Sequence, residues 1–326
     1  MIEVIATAGL ATVQDQGRYG SLRYGVGRAG AMDRVALAAA NLLLGNDEDA
    51  AGIELQIFPF TARFIADCGF ALTGADCAAR LDGLKLLPWS AYSARAGQEL
   101  VLGLPARGAT RAYVALPGGV DVPEVLGSRS TQLRGAFGGL DGRFLQAGDQ
   151  LRAATPGPGI NGFGLVPPVL DLPLGAGDVP AVRVLPAGEY CRLSTAAKEL
   201  VWSADWKVTA QSDRYGYRLA GEALAFTEPV EMLSHGIVPG VIQLPPGGQP
   251  IIQMSDAQPS GGYPKIGTVI EADLWRLGQA PIGSRIRFAR TTWEEAVEAD
   301  EALRAWLDEA GRLVRLQRTQ LLGGGR

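Results

Sequence analysis

The order of hydrophobic and polar positions divides the chain into stretches of different period. Ile2 to Ile5 alternates like a short strand and runs into a polar loop, Gly9 to Arg18. Apolar surface from Val35, Leu37, Ala38, Leu42 and Leu44 then recurs at helical spacing. Asp33 stands at the N-cap and Gly45-Asn46 supplies a left-handed stop, so the spacing predicts a helix over 33–44 whose alanines pack closely on a sheet. From Ile53 to Leu151 the pattern turns to β. The runs Ile53–Phe58, Ala62–Cys68, Phe70–Thr73, Glu99–Leu104 and Arg111–Ala115 carry β-branched and aromatic residues between Gly, Pro and Asp turns. Between 156 and 180 Pro and Gly break every period, which predicts a connector. Beyond it, strands are expected around Val182–Leu185, Trp206–Gln211, Tyr217–Leu219, Val241–Leu244, Ile251–Met254 and Ile286–Ala289. A short helix is expected at Ser194–Trp202, with Leu200 and Trp202 turned inward. Thr292 and Glu295 form a capping box, and Ala296, Leu303, Trp306, Leu307 and Val314 continue it as a long amphipathic helix packed on its own chain, frayed from Leu321.

These elements describe a mainly β chain in four parts: an N-terminal β lobe at 1–155 with its helix, the connector at 156–180, a C-terminal β lobe at 181–290, and the helix and tail at 291–326. At 326 residues the length suits two lobes. A content of 47% hydrophobic and 20% charged residues is that of an ordinary globular protein, and a net charge of -4 gives no basic footprint for nucleic acid. Cys68, Cys77 and Cys191 are odd in number without a C-x-x-C, and His235 is the sole histidine, so neither a disulfide framework nor a zinc site is expected. Met1 to Arg18 lacks the apolar core of a signal peptide, and no window reaches the length of a membrane span, so the cytoplasm is the expected location.

Candidate chemistry concentrates between Gly248 and Thr268. An apolar run ends in a bent loop holding Asp256, Gln258, Ser260, Gly261, Gly262, Tyr263 and Lys265, which is polar chemistry at a strand end. An Asp accepts N–H bonds, a Gln side chain pairs with both ends of an amide, and a Lys or Tyr stabilises the oxygen that gains charge when a carbonyl is attacked. Two readings stand: a grip on an N–C=O group with Asp256, Tyr263 and Lys265 catalytic, or a structural turn in which Asp256 caps backbone and Tyr263 packs. Lys265 is one of four lysines among many arginines. Gln14, Asp15 and Arg18 form a second candidate loop, read either as substrate-binding or as an Asp–Arg pair holding a turn. Ser128 and Arg129 form a third, offering a hydroxyl and a guanidinium to an anion. His235 has neither a G-x-S-x-G elbow nor a reactive cysteine beside it and reads as a loop histidine with local hydrogen bonds. No G-x-x-x-x-G-K-[ST] occurs, so a Walker-type loop is not how this chain would hold ATP.

Four ordered blocks resemble the allophanate hydrolase subunit 2-like, or biotin-dependent carboxyltransferase-like, family: GLATVQDQGRYG from Gly9, GAMDRVALAAANLLLGN from Gly30, GGVDVPEVLGSRST from Gly118, and PPGGQPIIQMSDAQPSGGYPKIGTVIEADL from Pro245. The resemblance implies two cyclophilin-like β-barrel lobes with a helix near the N-terminus and a long C-terminal helix. Its 5-oxoprolinase-type members imply one subunit of an assembly that opens 5-oxo-L-proline to L-glutamate, with ATP used at the level of the complex. The partners so implied resemble the A and B subunits of 5-oxoprolinase, the second of them kinase-inhibitor-like. Two alternatives follow from the same resemblance. One is a carboxyltransferase component acting on urea or a related amide with biotin on a separate carrier; the other is a non-enzymatic regulator of a kinase-inhibitor-like partner. Where the family reads D-R-Q-T-T-G-G-Y-P, this chain places Ala257, Pro259 and Ser260 at the Arg and two Thr positions, which removes a fork donor for an anion.

Overall fold

The computed structural model describes the chain except for residues 107, 108, 158, 160, 169–178 and 324–326 and the side chains of 322 and 323. Much of the expected connector at 156–180 therefore lies outside the described residues. The chain folds as two compact units, the first comprising Met1–Tyr19, Ala29–Pro168 and Arg304–Arg326, the second Gly20–Arg28 and Val169–Leu303.

The first unit is built on two antiparallel sheets. One has six strands in the order Gln150–Leu151, Ile2–Thr7, Phe60–Phe64, Glu99–Leu102, Arg80–Leu81 and Leu84–Lys85. The other has five, Ala11–Gln14, Gly52–Leu55, Ala112–Ala115, Cys68–Gly74 and Ser90–Ala94. Their apolar faces share a core that includes Phe60, Phe64, Phe70, Ile53 and Val114, with Phe64 and Phe70 rings 5.0 Å apart. Burying each such side chain contributes roughly 1.5–3 kcal/mol.

Helix α1, Arg34–Leu44, lies on the five-stranded sheet. Its start is fixed by Asp33, whose carboxylate accepts from the Ala36 N–H at 2.8 Å. Its end is fixed by Gly45 at φ 74°, whose N–H returns to Asn41 and Leu42 carbonyls. Ala36, Ala39 and Ala40 are fully buried, the close approach that small side chains permit.

The second unit is a closed barrel of seven strands. Around the ring they run Ala181–Pro186, Lys265–Val269, Val241–Gln243, Ile251–Gln253, Gly216–Ala220, Asp205–Val208 and Arg285–Arg290, and the last pairs in parallel with the first. Trp206 and Phe288 stack inside at 6.1 Å. Helix α2, Thr195–Ser203, begins at Ser194, whose hydroxyl accepts from Ala197 N–H, but it buries Ala197 and Val201 rather than the expected Leu200 and Trp202. Trp202 is half-buried and donates its indole N–H to the Tyr190 hydroxyl at 2.7 Å. Helix α3 is the short Leu274–Gln279.

Helix α4, Trp293–Gly323, opens on the expected capping box, with Glu295 accepting from Thr292 N–H at 3.1 Å and Thr292 Oγ1 accepting from Glu295 N–H at 3.3 Å. It buries Ala299, Leu303, Ala310 and Val314, a narrower stripe than the sequence spacing suggests, because Trp306 and Leu307 are only half-buried. From Arg304 it belongs to the first unit, where Gly311 lets it approach Leu42 of α1. The remainder of the tail expected to fray, 324–326, lies outside the described residues. Among the described residues no helix is long and apolar enough to cross a membrane, and no group of metal-ligating side chains occurs.

Candidate functional site

The Gly248–Thr268 stretch leaves the barrel at Gln253 and returns at Lys265. Between them Ser260–Gly261 pairs with His235–Gly236 in a two-stranded ribbon, His235 opposite Gly261. This ribbon brings the sole histidine to the candidate loop.

Asp256 is buried, and both of its oxygens are engaged. Arg214 Nε and Nη2 donate to Oδ2 and Oδ1, each at 2.9 Å, and the Asp256 N–H donates to the Arg214 carbonyl at 2.9 Å. The turn presenting Arg214 is held by Asp213 Oδ1, which accepts from Tyr215 and Gly216 N–H. A bidentate pair with so little exposure fixes the loop root. The guanidinium absent at Ala257 is thus present beside Asp256 from another strand end, a residue the sequence pattern did not single out.

Lys265 opens the strand Lys265–Val269, and its backbone N–H donates to Glu189 Oε2 at 3.0 Å. The side chain is only 8% exposed. Its ammonium reaches the His235 ring, in hydrogen-bonding contact with Nε2 and 3.2 Å from Nδ1, and the Gly261 carbonyl at 3.4 Å. His235 Nδ1 also lies 3.1 Å from the Leu233 carbonyl. A carbonyl only accepts, so the tautomer with its proton on Nδ1 donates to Leu233 and leaves Nε2 to take the hydrogen bond from lysine. Burial lowers the Lys265 pKa from its ordinary value, with Glu189 opposing that shift. The local hydrogen bond expected of His235 is present; its contact with Lys265 was not legible.

Opposite Lys265 in the sheet register is Gln243, next to an irregularity in the pairing between Ile242 and Gln243. Bulges of this kind re-aim a side chain. Gln243 is 3% exposed; its Oε1 accepts from Gln253 Nε2 at 3.0 Å, and its Nε2 has no hydrogen-bond partner among the described residues. A Cβ built on Gly261 would lie 2.8 Å from Gln243 Nε2, 2.5 Å from Ile237 Cδ1 and 3.3 Å from Gln258 Nε2. Glycine is therefore required at 261 by close approach. Gln258, Ser260 and Tyr263 are exposed around this point, Tyr263 by 47%, and Gly262 is half-buried. Gln243 and Gln253 were read only as strand residues. A polar residue ending a buried run, in Val241–Ile242–Gln243, was the available signal.

The second and third sequence candidates form one cluster in the first unit, where the structure joins segments more than 110 residues apart. Asp15 is buried and accepts from Gly17 N–H at 2.8 Å, Ser128 Oγ at 2.7 Å, Ser130 Oγ at 2.5 Å and Arg129 N–H at 2.5 Å. Arg18, 1% exposed, donates to the Val125 and Ser130 carbonyls at 2.9 and 3.0 Å and sits 4.9 Å over the Phe137 ring. Gln14 is fully buried, with Nε2 3.0 Å from Thr12 Oγ1. The Arg129 side chain is half-exposed, 3.5 Å from Glu124. Elsewhere in this unit a groove of about 440 Å³ is lined mainly by Phe163, Leu165, Val166, Trp306 and Leu313; its apolar walls contain none of these polar groups.

The family described as carboxyltransferase domain, subdomain A and B, matches residues 24–290. The chain is 41% identical over 315 residues to the C subunit of 5-oxoprolinase from Escherichia coli (strain K12), covering 95% of this chain and 97% of that protein. It is 40% identical over 315 residues to the C subunit of 5-oxoprolinase from Haemophilus influenzae, covering 96% of this chain and 99% of that protein. The crystal structure of K. lactis urea amidolyase matches with a TM-score of 0.85 at 27% identity, over 95% of this chain and 20% of that longer chain. With a barrel, a long C-terminal helix and a family match across most of its length, the chain belongs to the carboxyltransferase domain family, subdomain A and B.

Proposed function

We propose that this chain is the amide-handling subunit of a 5-oxoprolinase-type complex, which hydrolyses 5-oxo-L-proline to L-glutamate with ATP used at the level of the complex. The near full-length likeness to the C subunit of 5-oxoprolinase carries this reading. Its partners are chains resembling the A and B subunits of that enzyme. The geometry supports it through a lysine ammonium at a loop rimmed by Gln258, Ser260 and Tyr263. Attack of water on a lactam carbonyl places negative charge on the oxygen, and an ammonium held in a partly dry site stabilises that charge more than water does. Asp256 acts here through Arg214, holding the loop in place, and Lys265 is the group that meets the oxygen.

A second reading draws on the same match. The family is described as a carboxyltransferase domain, and a urea amidolyase shares the fold. In that reading the loop around Lys265 holds urea or a related amide while biotin arrives on a separate carrier, and Lys265 faces an oxygen in the same way.

Co-expression with A-like and B-like chains, followed by an assay of ATP-dependent glutamate release from 5-oxoproline, separates the two. Release that needs every chain and is lost in Lys265→Ala supports the first reading. Carboxylation of urea with a biotinylated partner, and no glutamate, overturns it.

A further inference from the structure

Sequence reasoning placed the grip on an acid, an amide, a phenol and an ammonium. The structure redistributes those roles. Asp256 has both oxygens on Arg214. Gln243 brings a buried amide N–H₂ that nothing among the described residues receives. A buried donor without an acceptor costs about 1–3 kcal/mol, and natural structures keep such a group where water or a ligand completes it.

Three observations place that donor with Lys265. The two residues are direct cross-strand partners, so their side chains leave one face of the sheet. Both reach Gly261, Lys265 Nζ at its carbonyl and Gln243 Nε2 within 2.8 Å of the space a Cβ there would fill. His235 Nε2 receives one ammonium hydrogen and Gly261 O lies near another, so the ammonium is held in direction with a third hydrogen still to donate.

We propose that Gln243 Nε2 and Lys265 Nζ form a two-donor subsite for one ligand oxygen, the carbonyl oxygen of a lactam, kept open by the missing side chain of Gly261. This assignment rests on the cyclic-amide reading above and adds to it a specificity residue, Gln243. Two N–H donors select an oxygen, carbonyl or carboxylate, over a ring N–H. A cyclic amine with no oxygen, such as pyrrolidine, leaves Gln243 unpaired and is rejected. His235 is a positioning residue, acting through Lys265.

The decisive variant is Gln243→Glu. It keeps the side-chain shape and the oxygen that accepts from Gln253 but replaces the N–H₂ with a second oxygen that attracts Lys265. In the reconstituted complex, KM for 5-oxoproline is expected to rise by tenfold or more, since a site built around a hydrogen bond discriminates strongly once that bond is lost. Titration calorimetry on the full chain should show 5-oxoproline and 2-pyrrolidinone bound, pyrrolidine not bound, and both lactams weakened in Gln243→Glu, with the melting curve of the variant confirming that it folds. Gly261→Ala should weaken the same two lactams. A Gln243→Glu complex with wild-type KM, or a chain that binds pyrrolidine as well as the lactams, overturns the subsite while the glutamate assay leaves the function standing. A wild-type complex that releases no glutamate overturns both.

Discussion

Two buried ionisable groups, one in each unit, differ in what is left over around them. Asp15 is an acceptor surrounded by donors, two backbone N–H groups and two serine hydroxyls, and its lone pairs are met. Lys265 is a donor beside a second donor, Gln243 Nε2, with His235 and the Gly261 carbonyl as the acceptors at hand. A carboxylate whose lone pairs are met serves to tie loops together, and the atom left over in its cluster is an acceptor, Gln14 Oε1, which has no hydrogen-bond partner among the described residues. A network with surplus donors is complete only when an oxygen arrives. The residue types in the two loops looked equally chemical in sequence; counting donors against acceptors is what separates them.

The contrast is tested by removing its members, starting with the pair that fixes the loop root. Asp256→Ala strands a buried guanidinium and is expected to destabilise the chain by about 3–5 kcal/mol, measured by urea denaturation. A loss below about 1 kcal/mol would mean that the pair does not hold the loop. Asp15→Ala leaves four donors unmet and should cost on the order of 3 kcal/mol. On the saturated-framework view the variant, where it folds, retains ligand binding by the full chain; selective loss of binding with normal stability contradicts that view.

Tyr113 supplies a smaller effect with a pH signature. Its hydroxyl donates to Glu54 and accepts from Asp33 N–H, both at 2.7 Å, which ties the start of α1 to the sheet. Burial, then the charges of Glu54 and Asp33, raise its pKa well above 10.0. The folded chain therefore favours the neutral phenol. Stability from this group is full below that ordinary value and is lost as pH climbs toward the raised one. Tyr113→Phe should cost about 1–2 kcal/mol near neutrality and flatten the fall in melting temperature between about pH 9 and about pH 11.

The smallest expected change has the opposite sign. Lys265 is disfavoured as a cation by burial, so its cost is full below its lowered pKa and is relieved as pH rises past 10.5. Lys265→Met should then stabilise the fold by about 0.5–1 kcal/mol at neutral pH while abolishing ligand binding, a trade of stability against function. A variant less stable than wild type would remove Lys265 from the class of groups held at a cost.

The strand and helix positions were largely legible because they depend on local period and on caps that act within a turn. Asp33 with Ala36, Gly45, and Thr292 with Glu295 each complete their bonds within a few residues. The candidate loops were legible as polar bends. Their membership was not: Arg214 reaches Asp256 across 42 positions and His235 reaches Lys265 across 30. Leu200 and Trp202 show the same limit from the apolar side, since helical period marks a face but not the neighbour that receives it.

By itself, then, the sequence determined the mainly β architecture, the helix termini and the stretch where chemistry gathers, because hydrophobic period, capping and turn residues act over short range. Tertiary structure alone decided that Asp15 closes a framework, that Asp256 belongs to Arg214, and that Gln243 faces Lys265 with an unmet donor. Those outcomes depend on which distant strands pair and in what register, and a one-residue slip in register would send each of these side chains to the other face.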